Sequence, residues 1–157
     1  MKIDIFNTEK KYEIIYADCP WEYRDKKGNN PKMGGITYDT MQLKDICALP
    51  IPQIASKNCA LFFWVTMPML QEGLDVIKAW GFKYTTCAFT WVKKNPKGEG
   101  IYSGLGHWTN GNAELCLFSK KGTPKRMAKN VQQIVFAPRA RHSEKPEEER
   151  DRIVQLL

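Results

Sequence analysis

ALFFWVTMPMLQEGLDVIKAWGFKYTTCAFTWV, residues 60–92, is the stretch whose reading decides the fold. It opens on Ala60–Val65, a continuously apolar run of the kind expected of a central strand covered on both faces. Thr66–Trp80 then predicts a helix, with Leu70, Leu74, Ile77 and Trp80 at helical spacing and Gly81 closing it. Phe82–Val92 predicts the next strand.

Outward from this unit the rhythm continues. Lys11–Ala17, short and rich in Ile and Tyr, predicts an earlier strand. Asp25–Tyr38, with Gly28, Pro31, Gly34 and Gly35 and no apolar period, predicts a mobile loop. Thr40–Ile46 predicts a short helix ended by Pro50 and Pro52. Asn95–Asn112, with five glycines, predicts a second long loop. Glu114–Ser119 and Val131–Phe136 predict two more strands, and Pro146–Leu157 a closing helix. The expected fold is α/β in one domain over 1–157, a mostly parallel sheet with helices on both faces. Ligands of such sheets bind beyond the carboxyl ends of the strands, where both long loops should sit.

The chain has 157 residues, 43% hydrophobic and 26% charged, which suits one soluble domain. Its longest apolar run falls far short of the ~20 residues that span a bilayer. Met1–Asp4 lacks an apolar signal core, so a cytoplasmic location is expected. Five isolated cysteines, none in Cys-x-x-Cys spacing, suggest neither a disulfide framework nor a zinc site. The two histidines, His107 and His142, lack metal-ligand spacing, and no metal is assigned.

Net charge is +7, and between 119 and 145 eight cations (Lys120, Lys121, Lys125, Arg126, Lys129, Arg139, Arg141, Lys145) meet one acid, Glu144. A basic half-surface favours a polyanion, nucleic acid first.

Asp18-Cys19-Pro20-Trp21 follows the first predicted strand. An acid there accepts hydrogen bonds from an amine, and Pro20 sets the backbone angle and removes a competing N–H. The Cys19 carbonyl then becomes a second acceptor, and Trp21 offers a face on which a flat heterocycle can stack. Such a set suits the exocyclic amine of a nucleobase.

In its strand context this tetrapeptide resembles the Asp-Pro-Pro-Trp motif of the MT-A family of adenine N6-methyltransferases. Ile36–Met41, Leu61–Leu70, Phe89–Asn95, Gly106–Leu117 and Ala137–Glu148 resemble further blocks of that family, in its order and across nearly the whole chain. The likeness is closest to the short phage-type members. It implies a Rossmann-like methyltransferase fold that uses S-adenosylmethionine to methylate the N6 amine of adenine in nucleic acid. With no added RNA-binding module in view, DNA is preferred over RNA.

By that resemblance Asp18, Cys19, Pro20 and Trp21 form the catalytic turn. Asp4, Ile5, Asp18 and Lys93 contact the cofactor. Trp21, Tyr38, Glu114, Arg139 and Arg141 contact the substrate, while Lys145 and the 120–129 loop join Arg139 and Arg141 at phosphates. Two departures stand out. Cys19 replaces a proline, placing an exposed thiol beside the cofactor. The chain also stops at Asp151–Leu157, where family members continue into a strand bearing cofactor contacts. A partner chain or homodimer completing the site, or a catalytically weak nucleic-acid-binding subunit, follows as the alternative expectation.

Overall fold

The structure, a computed structural model, describes residues 4–23, 38–97, 99–106, 108–139 and 144–157. Its elements in chain order are β1 (Tyr12–Asp18), α1 (Leu43–Cys47), α2 (Ile51–Ile54), β2 (Ala55–Val65), α3 (Leu70–Ala79), β3 (Lys83–Lys94), β4 (Ala113–Lys121), β5 (Ile134–Pro138) and α4 (Glu147–Leu156). Strand β2 is the hub. Seven consecutive residues, Cys59–Val65, are each no more than 1% exposed, because alternate side chains enter two different cores. Cys59, Leu61, Phe63 and Val65 pack under α1–α3, whereas Ala60, Phe62 and Trp64 pack on the opposite face with Ile153 of α4. Helices therefore cover both faces, as the apolar run implies.

The strand order is β1-β2-β4-β3-β5. Pairs β1–β2 and β3–β5 are parallel, but β2–β4 and β4–β3 are antiparallel. The expectation of a mostly parallel, Rossmann-like sheet is thus corrected to a mixed sheet. The physical cause is the β3-to-β4 connection. A parallel return needs a crossover element, usually a helix, and the glycine-rich 95–112 segment forms none. Because β4 alone is reversed, the carboxyl ends of β1, β2, β3 and β5 share one edge with the amino end of β4.

Helix α3 starts later than its sequence pattern predicts. Met67–Met69 forms a 3-10 turn around Pro68 before the α-helix begins at Leu70. Its inward face is Met69, Gly73, Val76, Ile77 and Trp80, with Leu70 and Leu74 on the margin. Gly73 sets the approach: a Cβ there would come within 3.0 Å of Val65 and 3.4 Å of Phe63. Gly81 (φ +76°) ends the helix in the left-handed conformation that glycine tolerates best. After Pro50 the chain makes a further helical turn, α2, with Pro52 in its first turn, where a missing N–H costs nothing. No helix among the described residues is long and apolar enough to cross a membrane.

Candidate active site

A cleft of about 180 Å³ opens at the shared edge. That is below the ~300–1,000 Å³ of whole-ligand pockets, so the described walls have room for part of a ligand. Asp18 and Trp21 come to it from β1 and its exit, Trp64 and Thr66 from β2, Lys93 from β3, Glu114 from β4, and Arg139 and Lys145 from either side of the 140–143 segment. Tyr38 also lines it. The reversal of β4 is what delivers Glu114, since a parallel β4 would end here on Lys120 and Lys121 instead.

The charged groups form an alternating chain. Lys145 Nζ donates to Asp18 Oδ2 at 2.7 Å and lies 3.3 Å from Glu114 Oε2, while Lys93 donates to Glu114 Oε1. Two ring faces support the cations: Lys145 sits 5.3 Å from the Trp64 ring and Lys93 5.1 Å from that of Trp91. Trp64 donates its indole N–H to the Tyr16 hydroxyl (2.7 Å), and Trp91 donates to the Ala137 carbonyl (2.9 Å), so both rings are pinned.

Burial and pairing set the protonation states. Burial raises the Asp18 pKa, and the attraction of Lys145 only partly offsets it. Burial would raise Glu114 too, but Lys145 and Lys93 together hold it below the usual glutamate range. Burial would lower Lys145, yet Glu114 and Asp18 outweigh that and raise it. The result is an ammonium clamped between two carboxylates, of which Asp18 is the more readily protonated.

Several sequence expectations change here. Trp21 is not an exposed platform: it is 4% exposed and packs edge-on against Phe63, with ring centroids 5.8 Å apart. Its indole N–H is buried and has no partner among the described residues. The Cys19 thiol is buried rather than exposed, and that burial pushes its pKa up to about 12, which removes the expected oxidation liability. The Cys19 carbonyl already accepts the Trp21 N–H at 3.0 Å, leaving one lone pair for another donor. Pro20 does shape the turn, and its carbonyl accepts the Met41 N–H at 2.8 Å.

Asp4 and Ile5 do not line the cleft. Asp4 is fully exposed and turns back on its own segment, accepting from the Phe6 N–H (2.9 Å) and Asn7 Nδ2 (2.6 Å). Arg139 does reach the cleft, its guanidinium stacked 4.2 Å from the Tyr102 ring. Tyr102 N–H in turn donates to the Lys93 carbonyl at 2.8 Å, and Lys93 N–H to Asn112, also at 2.8 Å, which ties the second loop to this edge. Arg141, His107 and His142 lie outside the described residues, as does most of the first long loop.

Lys145, expected among phosphate contacts, pairs with Asp18 and Glu114 and links the two carboxylates of the cleft. The signal available was its place before α4, on the return from β5 to the same edge. Glu149 was missed altogether. It is fully buried on the Trp64 side of the sheet, and both carboxylate oxygens lack a partner among the described residues. Glu149 and Ile153, four apart, make the buried stripe of α4, so an acid in an apolar position was the legible sign.

An α/β sheet whose shared edge carries paired carboxylates, clamped cations and tryptophan walls is built to receive a polar, ring-bearing ligand. A family model described as MT-A70 matches residues 12–156, and the chain belongs to that family. It is 36% identical to the Type II methyltransferase M.MunI of a Mycoplasma species, over 87% of this chain and 64% of that protein. It is 29% identical to the N(6)-adenosine-methyltransferase MT-A70-like protein of Drosophila melanogaster, over 88% of this chain and 21% of that one. It is also 29% identical to the N(6)-adenine-specific methyltransferase METTL4 of Homo sapiens, over 62% of this chain and 20% of that protein. The chain thus spans less than two thirds of each of these relatives.

Proposed function

We propose that this cleft transfers a methyl group from S-adenosylmethionine to the N6 amine of adenine in DNA. The observation that carries the reading is Asp18, fixed by Lys145 at the end of β1 beside the one remaining lone pair of the Cys19 carbonyl. Two acceptors there meet the two protons of an exocyclic amine. The lone pair of adenine N6 is delocalised into the ring, and bonds to both protons favour a pyramidal nitrogen able to attack carbon. Positioning and electrostatics therefore do most of the work. The proton released as the nitrogen is alkylated passes to Asp18, which burial makes more basic than an ordinary aspartate.

The donor set fits the cofactor. Its amino-acid portion carries an ammonium and a carboxylate, which the Glu114–Lys93 pair complements, and its sulfonium supplies an electrophilic methyl when bound. Trp21 lines the wall beside the base, and Tyr38 and Arg139 flank the opening. An adenine in a duplex has to leave the stack to reach Asp18. DNA is the nucleic acid we propose because identity is higher to the Type II methyltransferase than to relatives named for adenosine, the ribonucleoside.

The test is transfer of isotope-labelled methyl to matched adenine-containing DNA and RNA oligonucleotides. The wild type should label DNA at N6. Asp18→Asn, which keeps the shape and removes the charge, should lower the rate at least ~100-fold. An unchanged rate in that variant defeats the role of Asp18, and preferential labelling of RNA defeats the choice of DNA.

A further inference from the structure

The basic excess that the sequence shows as one run is divided in two by the fold. Arg139 and Lys145 stand at the cleft, but Lys120 and Lys121 lie at the opposite end of β4. Strand β4 has nine residues, so Ala113 and Lys121 stand eight steps apart, about 27 Å at ~3.4 Å per residue. That is beyond the ~8–10 Å screening length of physiological salt, so the two groups act independently.

The far edge has its own architecture. Lys57, in the opening residues of β2, Lys83, the first residue of β3, and Lys120 and Lys121, the last of β4, fall on three adjacent strands in the order β2-β4-β3. Lys83 and Lys120 are direct cross-strand partners, an arrangement that like charges oppose. Lys125, Arg126 and Lys129 follow in the next loop, and no acid occurs between 119 and 139. None of these cations makes an ion pair among the described residues, in contrast to Lys93 and Lys145. Glu13 of β1 is the acid that shares the surroundings of Cys59 with Lys121.

The edge is also held firmly. Gly122 (φ +65°) makes a turn in which any Cβ would collide with the Lys57 carbonyl and the Asn58 side chain. Asn58 Oδ1 accepts the Thr123 N–H at 3.0 Å, and Met127 N–H donates to the Leu156 carbonyl at 2.8 Å. Like charges are thus kept together, with Glu13 of β1 the acid nearby.

We propose that this edge is a second nucleic-acid surface, one that grips duplex phosphates without regard to sequence while the cleft works at the other end of the sheet. Across three strands ~4.8 Å apart, Lys83 and Lys120 leave the sheet end on one face and Lys57 and Lys121 on the other. The strip is about 10 Å wide and spans the axial length of five or six phosphates at one charge per ~1.7 Å of duplex axis. A polyanion relieves the Lys83–Lys120 repulsion that the fold otherwise carries. This goes beyond the proposed methyl transfer and stands or falls separately.

The experiment is fluorescence anisotropy of a labelled 30-base-pair duplex between about 50 and 200 mM salt, with Lys120→Gln/Lys121→Gln/Lys125→Gln beside the wild type. Each lost phosphate contact should take ~0.9 from the slope of log affinity against log salt, so the variant's slope should be shallower by about 2–3. Its affinity at 50 mM should fall at least ~10-fold. The triple Lys→Arg variant should keep both values, which separates charge from fold. Methylation of a trinucleotide, too short to reach from the cleft to the far edge, should be the same in all three proteins. A Gln variant with the wild-type slope overturns the proposal. So does loss of binding to phosphatidylserine vesicles with duplex affinity unchanged, which would assign the edge to membranes. Should the wild type fail to methylate any strand, the cleft's reading fails and the anisotropy result still decides this one.

Discussion

Both faces of the sheet bury aromatic side chains and do so with different chemistry. Under α1–α3, Trp21, Phe63 and Trp80 meet edge to face at 5.8 and 5.4 Å, and the surrounding groups are aliphatic. The Trp80 indole N–H is satisfied by the Ile46 carbonyl, and the ionisable groups buried in this core are the Cys19 and Cys59 thiols, which burial keeps neutral. Under α4, Trp64 and Trp91 cross at 6.4 Å, a tyrosine hydroxyl and a backbone carbonyl take their N–H groups, and Glu149 sits buried among them. The first face is a core. The second is a core that also serves as the floor of a charged cleft, and it retains polar groups that a purely structural face would shed.

Truncating the apolar face should produce the largest change in stability. Phe63→Ala removes the ring that both Trp21 and Trp80 pack against, and should cost about 3–5 kcal/mol in chemical denaturation. A cost under ~1 kcal/mol would show that this face is not the main core. The loss should also loosen the Asp18–Trp21 turn, so activity should fall more than folded population alone accounts for.

Glu149 should produce the next largest effect, and one that depends on pH. Burial raises its pKa to about 8, against about 4.3 in an unfolded chain. Below both values it is protonated in either state and costs nothing through ionisation. Between them the unfolded chain releases the proton while the folded one keeps it, so stability declines as pH rises, by at most ~1.4 kcal/mol per unit, and levels off above about 8. Melting curves of Glu149→Leu should therefore exceed the wild type most at pH 8 and least near pH 4. A constant difference across that range would show that Glu149 is ionised in the fold.

Trp91→Phe should be the mildest change. It removes the bond to Ala137 and shrinks the ring beside Lys93, for about 1 kcal/mol of stability, with a rise in KM rather than a fall in kcat. Equal loss in kcat would place the ring closer to the reacting atoms.

Periodicity is a local property, and what it governs was readable. The apolar run of β2, the amphipathic stripe of α3 and the stop at Gly81 each follow from neighbours within one turn or one pleat. Asp18 could be placed from its strand end, which is local too, whereas Lys93, Glu114, Arg139 and Tyr38 were expected from the family resemblance; all five line the cleft. Strand direction is not local. Glu114–Ser119 reads the same parallel or antiparallel, and only the missing crossover helix in 95–112 carried the information. Burial of a turn residue depends on what arrives from elsewhere, and so Trp21 looked exposed until Phe63 was seen to cover it. Lys145 belonged to a basic run in sequence, and the return of the chain from β5 separated it from that run.

The reversed β4 also decides where this chain can change length. One residue added between Glu114 and Lys121 would leave one end of β4 in register and move the other, so either Glu114 leaves Lys93 and Lys145 or Lys120 leaves Lys83. Core, cleft and far edge share a single ruler of nine residues. A change of length is thus absorbed more easily in the connections on either side of β4 than between Glu114 and Lys121, where cleft and far edge depend on one spacing.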